Sequence, residues 1–227
     1  MSSATEWLEE RTKVMEAAQA MYRQGLVVAA SGNVSVRVRH DGRDLMAITA
    51  SGKDYERLTI DRVVVVDLDG EPVHGDALPS TESLMHGAVY KTRKDVGAVM
   101  HTHSTYASSL AVAGMPLPPL IDEMVIALGD SIQVARYAFP GTEELGVNVV
   151  EALGERNAVL LKNHGLVGVG HTMDDALKVC ALAERLCQVY VTARLLGRAD
   201  PLPADAVAAE VELYRMRQFG PGEGGAR

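Results

Sequence analysis

The chain has 227 residues, 47% of them hydrophobic and 23% charged, and a formal net charge of -8. That acidic balance argues against a nucleic-acid or anionic-membrane surface, which would cluster Lys and Arg. No stretch approaches the roughly 18 uninterrupted apolar residues of a membrane span, so a soluble enzyme-sized domain is the expectation.

The segment Met1 to Glu10 lacks the basic start and apolar run of a secretory signal, and a cytoplasmic protein is expected. Thr5 to Gln24 reads as an amphipathic helix, with Trp7, Val14, Ala17, Ala18 and Met21 at helical spacing and Gly25 as its stop. Short β-branched runs follow at Val34–Val38, Leu45–Thr49 and Val63–Asp67. Asp41-Gly42, Ser51-Gly52 and Asp69-Gly70 punctuate them as turns, a pattern of antiparallel hairpins.

Pro79-Ser80-Thr81-Glu82 opens a second helix that runs to about Arg93, with hydroxyls and a carboxylate suited to its positive end. Val96–Thr102, Ile132–Ala135, Ala158–Leu161 and Gly165–Val169 read as further strands. The last long helix spans Thr172 to about Leu196, with Asp174 and Asp175 in its first turn and Gly197 beyond its end. A shorter helix covers Ala204 to Gln218. Hairpins mixed with separated helices favour a single α/β domain over residues 1–219, and the Gly- and Pro-rich residues 220–227 read as a flexible tail. Cys180 and Cys187 lie seven residues apart on one helix, about 10 Å, too far for a disulfide.

His101-Thr102-His103 ends an apolar run, and strand residues two apart share a face, so both imidazoles can reach one ion. His164 follows the apolar strand Ala158–Leu161 and supplies a plausible third nitrogen. Three histidines with an open position suit a catalytic zinc site, and Glu82 is placed to fill that position or to act as a base. Against this stands the simpler reading that Glu82 only improves a helix end and that the histidines are hydrogen-bonded core residues. His40, His74, His86 and His171 are read as structural or surface residues. Ser31-Gly32-Asn33, Thr49-Ala50-Ser51-Gly52 and Ser80-Thr81 have the chemistry of an anion cradle, although each segment alone is an ordinary turn or cap.

In their order and combination, Ser31-Gly32-Asn33-Val34-Ser35, Thr49-Ala50-Ser51-Gly52, Pro79-Ser80-Thr81-Glu82, His101-Thr102-His103 and Asn163-His164-Gly165 resemble the class II aldolase/adducin family, and most closely its fuculose-phosphate aldolase branch. The resemblance implies one α/β domain with a central, mostly antiparallel β-sheet flanked by helices. It implies Zn2+, or another divalent ion, held by His101, His103 and His164 with Glu82 in the resting site. By the same resemblance, Gly32, Asn33, Ser51, Gly52, Ser80 and Thr81 would bind substrate phosphate, and the assembly would be a homotetramer with active sites at subunit boundaries. The implied reaction cleaves a ketose 1-phosphate (of fuculose, deoxypentulose or methylthio-pentulose type) to dihydroxyacetone phosphate and an aldehyde through a metal-stabilised enediolate, with Glu82 as acid/base.

That branch places tyrosines where this chain has Asp122 and Phe219, which leaves Asp122, Glu123 or Tyr214 as candidates for the second proton transfer. Asp122 also motivates an alternative on the same site, epimerisation of a sugar phosphate or decarboxylation of a sugar-acid phosphate. A non-catalytic, adducin-like assembly module is the alternative of another class.

Overall fold

Val34, Val36 and Val38 alternate with polar residues, the period of a strand half-covered by other elements, and in a computed structural model of the chain they form β1 (Asn33–His40). The structure describes residues 7–52 and 54–220; the expected helix start at Thr5 and the tail beyond Gly220 lie outside them. A two-residue turn leads from β1 to β2 (Arg43–Thr49), with Asp41 and Gly42 at φ of 49° and 75°, the left-handed pair that a tight hairpin favours.

Six more strands complete the sheet: β3 (Val63–Asp67), β4 (Pro72–His74), β5 (Ala98–Thr102), β6 (Gln133–Ala135), β7 (Ala158–Leu161) and β8 (Gly165–Gly170). Their order is β4-β3-β2-β1-β5-β8-β7-β6, and every neighbouring pair is antiparallel except β6 with β7. The expected α/β domain with a mostly antiparallel sheet is what forms.

Alternation along the strands divides the core into two layers. Val34, Leu45, Ala98, Met100 and Leu166 face α1 (Leu8–Arg23), α3 (Thr105–Ala113), α4 (Asp122–Leu128) and α6 (Met173–Leu195). Met46, Ile48, Val99, Val159 and Val167 face α2 (Ser83–Thr92) and α5 (Glu143–Leu153). Each buried aliphatic side chain contributes roughly 1.5–3 kcal/mol against the entropy of ordering the chain. Polar groups inside such layers are costly unless hydrogen-bonded, so those found there carry information.

The α6 N-terminus is fixed by a reciprocal capping box: the Thr172 hydroxyl accepts from the Asp175 amide while the Asp175 carboxylate accepts from the Thr172 amide. The last helix, α7 (Ala204–Phe219), packs on α4. Cys180 and Cys187 are buried free thiols on α6. Among the described residues, no helix is long and apolar enough to cross a membrane. The strand β4 and the helices α3, α4 and α5 are not among the sequence expectations: β4 is a three-residue edge strand opened by a proline, and α3 and α4 are short.

Candidate active site

Val99 points into the layer beneath α2 and α5, so His101, two residues further along β5, emerges on the same face, where α2 begins. His103 follows just past the strand end. His164 lies in the turn from β7 to β8, where Asn163 takes a left-handed φ of 57°. Gly165 lets that turn lie against β5: a Cβ there would overlap the Thr102 carbonyl oxygen and stand 3.1 Å from His103 Cδ2 and 3.3 Å from His101 Cε1.

The three imidazoles converge through their Nε2 atoms. His101 Nε2 lies 2.9 Å from His103 Nε2 and 3.3 Å from His164 Nε2. Three nitrogens on a tetrahedral ion at ~2.05 Å would be about 3.3 Å apart, so the spacing suits a small divalent cation. His101 Nδ1 donates to the Leu166 carbonyl oxygen at 2.9 Å, which leaves the Nε2 lone pair directed into the cluster. Burial, followed by the neighbouring His101, pulls the His103 pKa down to about 4. Burial and His101 do the same to His164. Both rings are therefore neutral at neutral pH, the state in which an imidazole can bind a metal ion.

Glu82 completes the cluster. Its Oε2 lies 3.3 Å from His101 Nε2 and its Oε1 3.4 Å from His164 Nε2. Glu82 Oε1 is buried and has no hydrogen-bond partner, an expensive state for a carboxylate oxygen and one that a cation would relieve. The donor set therefore fits a divalent metal. Although Glu82 occupies the N-cap position of α2, its side chain caps nothing. Burial would raise its pKa, but His101, His164 and the Asn33 amide outweigh that and hold it below the usual carboxylate range.

All six residues expected to bind phosphate meet in one cleft of about 230 Å3, lined also by Glu82, His103 and His164. The Ser51 amide donates to Leu78 O and the Ser80 amide to Thr49 O, which ties two of the three segments together. Gly32 brings in the third: its φ is 74°, and a Cβ there would overlap the His101 carbonyl oxygen.

Two expected residues lie elsewhere. Asp122 is exposed on the first turn of α4, beside Glu210 of α7, and does not line the cleft of its own chain. Tyr214 is a correction: its side chain is buried under α7, and its hydroxyl donates to Glu155 O or Asn157 Oδ1, away from the cluster. Those bonds tie α7 to the loop before β7, and Tyr214 does not line the cleft of its own chain. Phe219, at the end of α7, packs on Tyr214 and beneath Arg93.

Tyr55 is absent from the sequence expectations, and His86 enters them only as a structural or surface residue. Tyr55 donates its hydroxyl to Gly32 O and so buttresses the cradle. His86, read as structural, is fully buried behind Asn33 and Glu82. Its spacing four residues after Glu82 on one helix was the available signal.

Fold and cluster together define an α/β enzyme with a three-histidine site beside an anion-sized cleft. Residues 12–191 match the family described as Class II Aldolase and Adducin N-terminal domain, and the chain belongs to that family. Over 197 residues it is 34% identical to the 5-deoxy-D-ribulose 1-phosphate aldolase of Bacillus thuringiensis serovar kurstaki, covering 87% of this chain and 91% of that one. Over 206 residues it is 35% identical to the L-fuculose phosphate aldolase of Escherichia coli O157:H7, covering 89% and 93%. A solved L-fuculose 1-phosphate aldolase superposes with a TM-score of 0.86 at 33% identity, covering 95% of this chain and 98% of that one. The chain is a class II aldolase, a lyase.

Proposed function

We propose that the protein is a zinc-dependent aldolase that cleaves a ketose 1-phosphate to dihydroxyacetone phosphate and an aldehyde. The observation that carries this reading is the opening of the hydroxyl- and glycine-rich cradle into the same cleft as His103, His164 and Glu82. His101, His103 and His164 would hold the ion, with Glu82 as a fourth donor when no substrate is present. Such an ion supplies Lewis acidity that stabilises negative charge on the ketose oxygens.

The cradle residues bind the phosphate through the Ser51, Ser80 and Thr81 hydroxyls and the backbone around Gly32 and Gly52, and so fix the distance from phosphate to carbonyl. In the addition direction, ionised Glu82 takes a proton from the hydroxymethyl carbon of dihydroxyacetone phosphate. In cleavage the protonated Glu82 carboxyl delivers that proton to the same carbon as the C3–C4 bond breaks, and the O4 proton passes to the Asp122 carboxylate. Asp122 is proposed to serve the aldehyde oxygen from a neighbouring copy in a homotetramer. Exposed Val28, Leu78 and Phe139, each close in sequence to a cleft residue, support a subunit boundary at the cleft.

The test is a screen of ketose 1-phosphates, with those of fuculose and 5-deoxyribulose first, followed by NMR of the products. Dihydroxyacetone phosphate plus an aldehyde is the expected result. A single rearranged sugar or released carbon dioxide would replace this reading with epimerisation or decarboxylation.

A further inference from the structure

A line of buried polar side chains runs away from the cluster through the layer beneath α2. Asn33 Nδ2 donates to Glu82 Oε2 at 2.7 Å, and Asn33 Oδ1 lies 2.6 Å from His86 Nε2. His86 Nδ1 lies 2.7 Å from Ser35 Oγ, which is 2.8 Å from the Tyr90 hydroxyl. Ser35, His86 and Tyr90 are fully buried, and Asn33 and Glu82 nearly so. An apolar layer does not retain such groups without partners, and here each has one.

The direction of every bond follows from one charge. An ionised Glu82 accepts only, so the Asn33 amide must turn its NH2 toward it and its carbonyl oxygen toward His86. That oxygen accepts only, so His86 Nε2 carries the hydrogen. Burial then pulls the His86 pKa down to about 3, so the ring is neutral and Nδ1 is an acceptor. Ser35 donates to Nδ1 and accepts from Tyr90. All the donors point toward Glu82.

We propose that His86 is a positioning residue: as the neutral Nε2–H tautomer it locks the Asn33 amide in the orientation that holds the Glu82 carboxylate at the three imidazoles. His86 does not line the cleft, and its hydrogen bond toward Glu82 runs through Asn33. The inference rests on the proposed role of Glu82 in proton transfer, but the tautomer itself does not.

Long-range 1H–15N spectra of the purified protein test the tautomer directly, with the His86 signals assigned by their loss in His86→Gln. The expected pattern at pH 7 is a neutral ring with an exchange-protected proton on Nε2; a proton on Nδ1 alone, or an imidazolium, would overturn the proposal. Kinetics supply the second readout. His86→Leu fills the space without a donor and should lower kcat about 10–100-fold with KM nearly unchanged, the usual cost of losing an outer partner of a site. His86→Gln places an amide nitrogen where Nε2 was and should recover most of that loss. Wild-type kcat in a folded Leu variant, or a Gln variant as slow as Leu, would contradict a positioning role. If wild type cleaves no ketose phosphate, the proposed function fails while the spectra still decide the tautomer; if the Leu variant does not fold, the spectra again decide.

Discussion

Asn33 and Glu82 are 49 residues apart in the chain, yet the Asn33 amide donates to Glu82 Oε2 at 2.7 Å inside the sheet-helix layer. The bond joins the first residue of β1 to the N-cap of α2, and it explains why Glu82 faces the imidazoles instead of capping its own helix.

Replacing that carboxylate by its neutral isostere separates metal binding from chemistry. Glu82→Gln should retain the metal through three histidines and lower kcat by ~10²–10⁴, the range for loss of a general acid/base. Near-normal kcat would remove Glu82 from the proton transfer.

The cradle makes a different kinetic prediction. A group that holds the phosphate equally in ground and transition states affects KM and leaves kcat alone. Ser51→Ala should therefore raise KM for a ketose 1-phosphate about tenfold, consistent with a lost hydrogen bond to a charged group of ~1.5 kcal/mol. An unchanged KM would place the phosphate elsewhere.

Gly165 is a prediction about packing. Because an added Cβ overlaps the Thr102 carbonyl and crowds two of the imidazoles, Gly165→Ala should lower stability by about 1–3 kcal/mol and weaken metal binding at the same time. A thermal midpoint and metal affinity equal to wild type would show that β8 can move aside without cost.

Much of this was legible in the sequence, for identifiable reasons. Alternation at Val34 to Val38 and the apolar runs at 96–100 and 158–161 define strands whatever their partners, and two residues of spacing put His101 and His103 on one face. His86, read as a structural or surface residue, is structural, and beyond its spacing from Glu82 the sequence did not show its partners, because Asn33 and Ser35 lie more than 50 residues away. Tyr214 was misjudged for the same kind of reason: its hydroxyl is claimed by Glu155 and Asn157, which only the docking of α7 brings near. The helices α3 and α4 are too short for their periodicity to stand out.

The docking of α7 carries a pH prediction. Asp95 accepts from Arg93 at 2.7 and 2.8 Å and from Gln218 of α7 at 2.9 Å. Burial would raise its pKa, but these donors outweigh burial and hold it down to about 2, from an ordinary value of 3.8. The folded pKa is the depressed one, so the stability it contributes is complete above about pH 4 and lost as pH falls toward 2. The thermal midpoint of wild type should exceed that of Asp95→Asn at pH 7, and the gap should close between pH 4 and 2. A gap independent of pH would contradict the linkage.

Calorimetric titration of the chelator-stripped protein with Zn2+, beside the same titration of His103→Ala, bears most directly on the convergence of His101, His103 and His164. One equivalent per chain should bind to wild type, and the variant should bind at least tenfold more weakly, as expected when one of three nitrogen donors is lost. Absence of stoichiometric binding to wild type, or equal affinity in the variant, would contradict a metal centre at these three residues.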